Sequence, residues 1–248
     1  MHVNLLQLGR VPYGEALALQ ERLVAARKRD EISDTLLLLE HPPVLTLGRN
    51  ASRANVLASD EFLAARGIAI HEIKRGGDVT YHGPGQLVGY PIVDLRGDLP
   101  GKRGPHLGPV DFIRLLEEVL IRACGEFGVR TQRISKRTGV WTVAGGRVVE
   151  KKIAALGVHV SQAVTSHGFA LNVTTDLRDF NWIVPCGIAD RGVTSLELEA
   201  DASTLPTLAH AGNVVARQFG RVFERQMLAV DSVEHLVSLR AGHLAAAV

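Results

Sequence analysis

Apolar residues recur along this chain with two spacings, and the switches between them outline its elements. From Tyr13, the positions Ala16, Leu17, Gln20, Leu23 and Val24 follow helical spacing, with Gln20 the polar member. The pattern runs to the basic turn Arg27-Lys28-Arg29, which suits a helix C-terminus. The clearest helical face is Phe112, Leu115, Leu116, Val119, Leu120, Ala123 and Phe127, which puts Cys124 inside a helix. Leu208, Ala211, Val215, Phe219, Val222 and Phe223 predict another, and residues 233–246 one more. A short helix over 59–65 has Ser59 as its cap and Gly67 as its stop.

Strand-like segments fall between these helices, at residues 5–8, 35–39, 44–47, 68–73, 87–95, 139–143, 148–160 and 168–173. The run 35–39 and the run 44–47, separated by a double proline, read as a strand pair. Gly145-Gly146 reads as a hairpin turn. Residues 75–86 hold four glycines and a proline and predict no regular element, and 97–109 reads as a surface loop. No repeat, low-complexity tract or composition shift marks a linker. The expectation is a single α+β domain over 1–248, a largely buried sheet flanked by helices. The motifs occupy about 5–200, and C-terminal helices about 205–248.

Composition narrows the function. Hydrophobic residues at 46% and charged residues at 22% describe an ordinary globular chain that folds. A net charge of +2 gives no basis for a nucleic-acid partner. Two cysteines, Cys124 and Cys186, exclude a disulfide framework and point to a reducing compartment. No apolar run approaches the ~18 residues of a membrane span, and no signal segment opens the chain. A cytoplasmic protein without a membrane partner is the expectation.

Cys186 lies in Val184-Pro185-Cys186-Gly187-Ile188, a turn with an uncrowded flank. It reads either as an accessible nucleophile or as a buried loop cysteine. A thiol that transfers acyl groups needs a cation or base beside it, and Lys151, Lys152, His82 and His167 are the candidates. In a strand, Lys151 and Lys152 face opposite ways, so one can point inward while the other meets solvent. His82 ends the glycine-rich stretch, and His167 sits in Ser166-His167-Gly168, just before a strand; both read as loop histidines. No histidine pair has the spacing of a zinc site, so no metal is expected. Residues 75–86 match neither a Walker loop nor a dinucleotide turn. Their glycines let backbone line a channel for a narrow ligand or offer amides to a carbonyl oxygen.

Four blocks carry a resemblance. They are Arg75-Gly76-Gly77 with Thr80-Tyr81-His82-Gly83-Pro84-Gly85-Gln86, Lys152-Ile153 with Leu156-Gly157, His167-Gly168 with Ala170-Leu171-Asn172-Val173, and Pro185-Cys186-Gly187. With Leu8-Gly9-Arg10 and the run from Glu40-His41-Pro42-Pro43 to Arg49, the chain resembles the lipoyl(octanoyl) transferases over most of its length. The resemblance implies the fold of biotin and lipoate protein ligases, a mixed β-sheet flanked by helices. It implies octanoyl transfer from acyl carrier protein to a lysine of lipoyl domains, in the E2 subunits of 2-oxoacid dehydrogenases and in the glycine cleavage H protein, without a cofactor. It assigns Cys186 as the thioester intermediate and Lys152, rather than Lys151, as the group that lowers the thiol pKa. It also implies an acyl pocket lined by Arg75, Gly76, Gly77, Asp78, Val79, Thr80, Tyr81, His82, Ala155, Leu156, Gly157, His167, Gly168, Phe169 and Ala170. The alternatives are an ATP-dependent lipoate or biotin ligase of the same fold, and a non-catalytic module that binds lipoyl domains or acyl carriers.

Overall fold

The computed structural model describes residues 1–144, 149–184, 192–201, 206–234 and 236. The chain runs β1 (His2–Arg10), α1 (Tyr13–Lys28), β2 (Thr35–Glu40), β3 (Val44–Leu47), α2 (Asp60–Ala65), β4 (Ala69–Glu72), β5 (Val79–His82) and β6 (Gln86–Ile92). It continues with α3 (Pro109–Glu126), β7 (Thr131–Ile134), β8 (Arg137–Thr142), β9 (Lys152–Ser161), β10 (Val164–Asn172), α4 (Leu196–Glu199), α5 (Leu208–Val222) and β11 (Gln226–Ala229).

Eight strands form one mixed sheet in the order β11-β1-β2-β6-β10-β9-β8-β7, and β4-β3-β5 form a second, smaller sheet. One face of the large sheet is covered by α3 and α5 through Phe112, Leu116, Val119, Val215 and Phe219. On the other face α1 packs Ala16 and Leu23 against Leu37, Val88 and Ile92. Each large apolar side chain removed from water in this way contributes about 1.5–3 kcal/mol. A third cluster, with Leu45, Val79 and Tyr81 at its centre, joins the small sheet to α2 and the 3-10 turn Leu177–Trp182. This is an α+β architecture, with helices on both faces of a mixed sheet.

Several expectations are corrected by this topology. The runs at 35–39 and 44–47 are both strands but are not partners: β2 pairs with β1 and β6, and β3 with β4 and β5. The intervening prolines carry the chain from one sheet to the other. Residues 79–82 are strand β5, in the middle of a stretch expected to be irregular, because its two faces are both buried. The segment 97–109 is not simply surface, since Leu99 and Leu107 anchor it in the main core. Strand β10 starts four residues before the expected 168, so His167 is a strand residue rather than a loop one. Its hairpin with β9 turns through Gln162 and Ala163, both at positive φ, a pair without the usual asparagine-glycine signature. Strands β7 and β11 were not foreseen. The hairpin turn at Gly145-Gly146 and nearly all of the expected helix 233–246 lie outside the described residues.

Candidate active site

The strands that face α1 and the small sheet border a narrow cleft that is partly open to solvent. Its floor is made where β9 and β10 run side by side, with Ala155 opposite Ala170 and Gly157 opposite Gly168. Glycine is required there. A Cβ on Gly157 would stand 2.7 Å from the Gly76 carbonyl oxygen, and one on Gly168 would stand 2.2 Å from that of Gly89. The wall from the small sheet is β5, whose alternation sends Thr80 and His82 into the cleft. Val79 and Tyr81 turn the opposite way, into the core under the small sheet, where the Tyr81 hydroxyl donates to Asp179 at 2.5 Å.

Of the fifteen pocket residues expected from the sequence, Arg75, Gly77, Asp78, Thr80, His82, Ala155, Leu156, Gly157, His167, Gly168, Phe169 and Ala170 line this cleft. Gly76, Val79 and Tyr81 do not. Gly76 instead fastens its loop to β9 by donating its N–H to the Val158 carbonyl at 3.1 Å. Asp78 lines the cleft, but its carboxylate is occupied, accepting from Val79 N–H at 2.7 Å and Asn55 Nδ2 at 2.6 Å. It holds the loop. Arg75 plants one guanidinium nitrogen on both the carbonyl and the hydroxyl of Thr46, each at 2.9 Å.

Tyr13 and Tyr90 also line the cleft, and the sequence reading missed both. The signal for Tyr90 was a polar aromatic inside an apolar strand. Its hydroxyl lies 2.8 Å from His41 Nε2, while His41 Nδ1 lies 2.7 Å from the Val11 carbonyl. A carbonyl only accepts, so the His41 proton is on Nδ1, and Nε2 receives the Tyr90 proton. Gln20, the polar member of the α1 stripe, accepts the backbone N–H of His167 at 2.8 Å. That bond answers the positive φ of His167, 56°, which takes its N–H out of regular strand geometry.

Burial pushes the histidines down: His41 to about 4, His82 to about 3 with help from neighbouring His41, and His167 to about 4 with help from Arg75. All three are neutral near pH 7. Burial raises Tyr13 to about 12. Beside Arg75 and Asp78, which are tied to Thr46 and to Val79 and Asn55, the cleft presents glycine backbone, aromatic faces and uncharged imidazoles, surroundings suited to a narrow apolar chain.

A directed hydrogen-bond chain runs from His82 across the floor. Gln86 Nε2 donates to the Tyr81 carbonyl at 3.2 Å, which fixes the orientation of the amide. The same nitrogen donates to Asn172 Oδ1 at 3.0 Å, so Gln86 Oε1 is left to accept from His82 Nδ1–H at 2.7 Å. Asn172 Nδ2 passes the chain on to the Thr194 carbonyl at 2.9 Å, and Thr194 N–H donates to the Lys152 carbonyl at 2.9 Å.

Lys152 is 7% exposed, whereas Lys151 is exposed. The cause is a β-bulge: Val140 and Trp141 on β8 face Ala154 and Lys152 on β9, leaving Ile153 as an extra residue. Ile153 and Ala154 then both enter the α3 core, and Lys152 is turned to the opposite side. There it lines a small recess that shares Thr80, Ala155 and Ala170 with the cleft. Cys186 lies outside the described residues. The residues flanking its segment are described: Val184 N–H donates to the Asn55 carbonyl at 2.7 Å, and the Gly192 carbonyl accepts from Lys152 N–H at 3.0 Å. Cys124, by contrast, is buried in α3, and burial pushes its thiol up to about 12.

The profile of the lipoyl protein ligase A/B catalytic domain matches residues 12–220. The chain belongs to that family. Among its members, proteins named octanoyltransferase are 64% identical in Acidobacterium capsulatum, over 94% of each chain, and 53% identical in Koribacter versatilis, over 95% of this chain and 90% of that one. The family fold is also found in solved structures. A bipartite lipoate protein ligase from Thermoplasma acidophilum aligns with a TM-score of 0.71 at 17% identity, over 98% of this chain and 91% of that one. A lipoate-protein ligase A solved with ATP aligns with a TM-score of 0.70 at 16% identity, over 98% and 94%.

Proposed function

We propose that the chain is an octanoyltransferase of lipoate biosynthesis, working through a thioester on Cys186. The observation that supports this most directly is Lys152, a lysine buried by a bulge and turned into a recess that adjoins the cleft. Its own backbone holds the start of the segment that follows Cys186. A buried lysine costs free energy unless its charge has a use, and steadying a thiolate is such a use.

In the first half-reaction the Cys186 thiolate attacks the thioester carbonyl of octanoyl-acyl carrier protein. The carbonyl collapses back and expels the phosphopantetheine thiolate, which takes a proton from the Lys152 ammonium, so one thioester replaces another and Lys152 is left neutral to accept the next proton. In the second, the lysine amine of a lipoyl domain, in a 2-oxoacid dehydrogenase E2 subunit or the glycine cleavage H protein, attacks the acyl-enzyme. An amide forms, Cys186 leaves as thiolate, and the amine proton passes first to Lys152, with His82 or His167 as the other candidates. The acyl tail occupies the cleft between Gly157, Gly168 and the aromatic wall. Arg75, Gly76, Gly77, Asp78, Thr80 and His82 with Ala155, Leu156, Phe169 and Ala170 shape it. Val79 and Tyr81 serve from behind by holding β5. The reaction needs a reduced thiol and no nucleotide, which suits the cytoplasm.

Incubation with octanoyl-acyl carrier protein and no ATP should add one octanoyl group to the chain by intact-mass spectrometry, with the adduct on the Cys186 peptide. An adduct that survives Cys186→Ser would refute the assignment. Transfer that occurs only with ATP would point to a ligase instead, and binding of donor without any adduct to a carrier module.

A further inference from the structure

Lys152 carries a four-carbon stem with many rotamers, and a charge that burial penalises. One short stretch of β8 bears on both. Trp141 stands opposite Lys152 in the ladder and is 1% exposed, and the Lys152 Nζ lies over its indole ring, 4.8 Å from the centroid. An ammonium at that distance is attracted by the negative face of the ring. The Trp141 Nε1–H is buried without an acceptor among the described residues.

Two residues earlier, Gly139 has φ +136°, and a Cβ built on it would stand 3.0 Å from the Ala154 carbonyl oxygen, 3.1 Å from Lys152 Cε and 3.3 Å from Trp141 Nε1. The Gly139 N–H is fixed by Glu117 Oε1 at 3.1 Å, a carboxylate wholly inside the protein. A glycine thus opens the passage for the stem, a tryptophan receives the head, and the bulge at Ile153 aims the side chain between them.

We infer that Gly139 and Trp141 are positioning residues for Lys152, forming a cradle that holds its Nζ over the indole face and fixes the direction of its stem. The inference rests on Lys152 acting on Cys186 as proposed above. It concerns what fixes the lysine, and neither residue touches substrate.

The test is the pH dependence of Cys186 alkylation by iodoacetamide, read on the Cys186 peptide of the full-length chain from pH 5 to 10. Lys152→Met should raise the apparent thiol pKa and so establish the parent reading. If it leaves the titration unchanged, that reading fails and takes the cradle with it. Given the shift in Lys152→Met, Trp141→Leu should raise the value by about half a unit or more, and Trp141→Phe, which keeps a weaker aromatic face, by less. Gly139→Ala should shift it in the same direction by displacing the stem. Phe112→Leu, a core truncation on the far face of the sheet, should lower the melting temperature and leave the titration where it was. A wild-type titration in both Trp141 variants and in Gly139→Ala, beside a shifted Lys152→Met, would overturn the inference. If the leucine variant does not fold, Trp141→Phe and Gly139→Ala decide the matter, and a wild-type titration in both overturns the inference.

Discussion

Replacing Gln86 by leucine cuts the hydrogen-bond chain that joins His82 to the Lys152 strand at its centre. His82, Gln86 and Asn172 are 8%, 2% and 4% exposed as whole residues, so water has little access to repair the break. The substitution removes the acceptor of His82 Nδ1–H and the donor to both the Tyr81 carbonyl and Asn172 Oδ1. An orphaned buried donor costs about 1–3 kcal/mol, and under-satisfied carbonyl oxygens cost less because each has a second lone pair. A total of about 2–4 kcal/mol follows, roughly 5–15 °C in melting temperature for a chain of this length. The direction of the chain makes a second variant informative. Gln86→Glu keeps the acceptor for His82 but sets a carboxylate oxygen against two other acceptors, 3.2 and 3.0 Å away. It should lose more stability than leucine. Differential scanning calorimetry at pH 7.5, with octanoyl transfer measured on the same samples, checks both. A leucine variant melting within about 2 °C of the native chain, or a glutamate variant more stable than the leucine one, would refute the assigned polarity.

Acid should unfold this protein through its histidines. His41, His82 and His167 are held at about 4, 3 and 4 in the folded chain against an ordinary 6.5, so between those limits the unfolded chain binds more protons. Their stabilisation is complete above about pH 6.5 and is lost as the pH falls towards 4, by up to about 1.4 kcal/mol per pH unit for each. Urea unfolding at pH 7 and pH 5 should show it, and equal stabilities would contradict it. Gly157→Ala puts a Cβ 2.7 Å from the Gly76 carbonyl and must push the loop off β9. The KM for octanoyl donor should rise about tenfold while far-UV circular dichroism stays native, and an unchanged KM would show the loop is not a wall of the acyl site. Glu117→Ala removes a fully buried carboxylate that accepts from Gly139 N–H, Arg114 and Arg133. The arginines can turn to solvent but the Gly139 N–H cannot, so the expected loss is about 2–4 kcal/mol, measured by urea titration.

Much of the site was readable as residue types in order. The glycines of the 75–86 stretch marked a place where backbone comes close, the family resemblance added Gly157 and Gly168, and alternation in the Lys151-Lys152 pair let one lysine turn inward. What stayed hidden depended on contacts between distant segments. Tyr13 and Tyr90 come from a helix start and a strand that have no local reason to meet. Gln20 looked like an interruption in an apolar stripe, and its use emerges only when His167, 147 positions later, adopts a positive φ.

Period and punctuation alone determined a helix from Tyr13 to the basic turn at 27–29, a helix bearing the face 112–127, and most strands, because local sterics and side-chain alternation decide these within a few residues. Which strands pair was settled by tertiary packing. The runs at 35–39 and 44–47 have similar apolar patterns, and only the burial of β5 on both faces draws the second into a separate sheet. The facing of Lys152 was settled in the same way, since strand alternation leaves the choice between Lys151 and Lys152 open. One extra residue, Ile153, taken up by the ladder with β8, shifts the alternation and turns Lys152 towards the cleft.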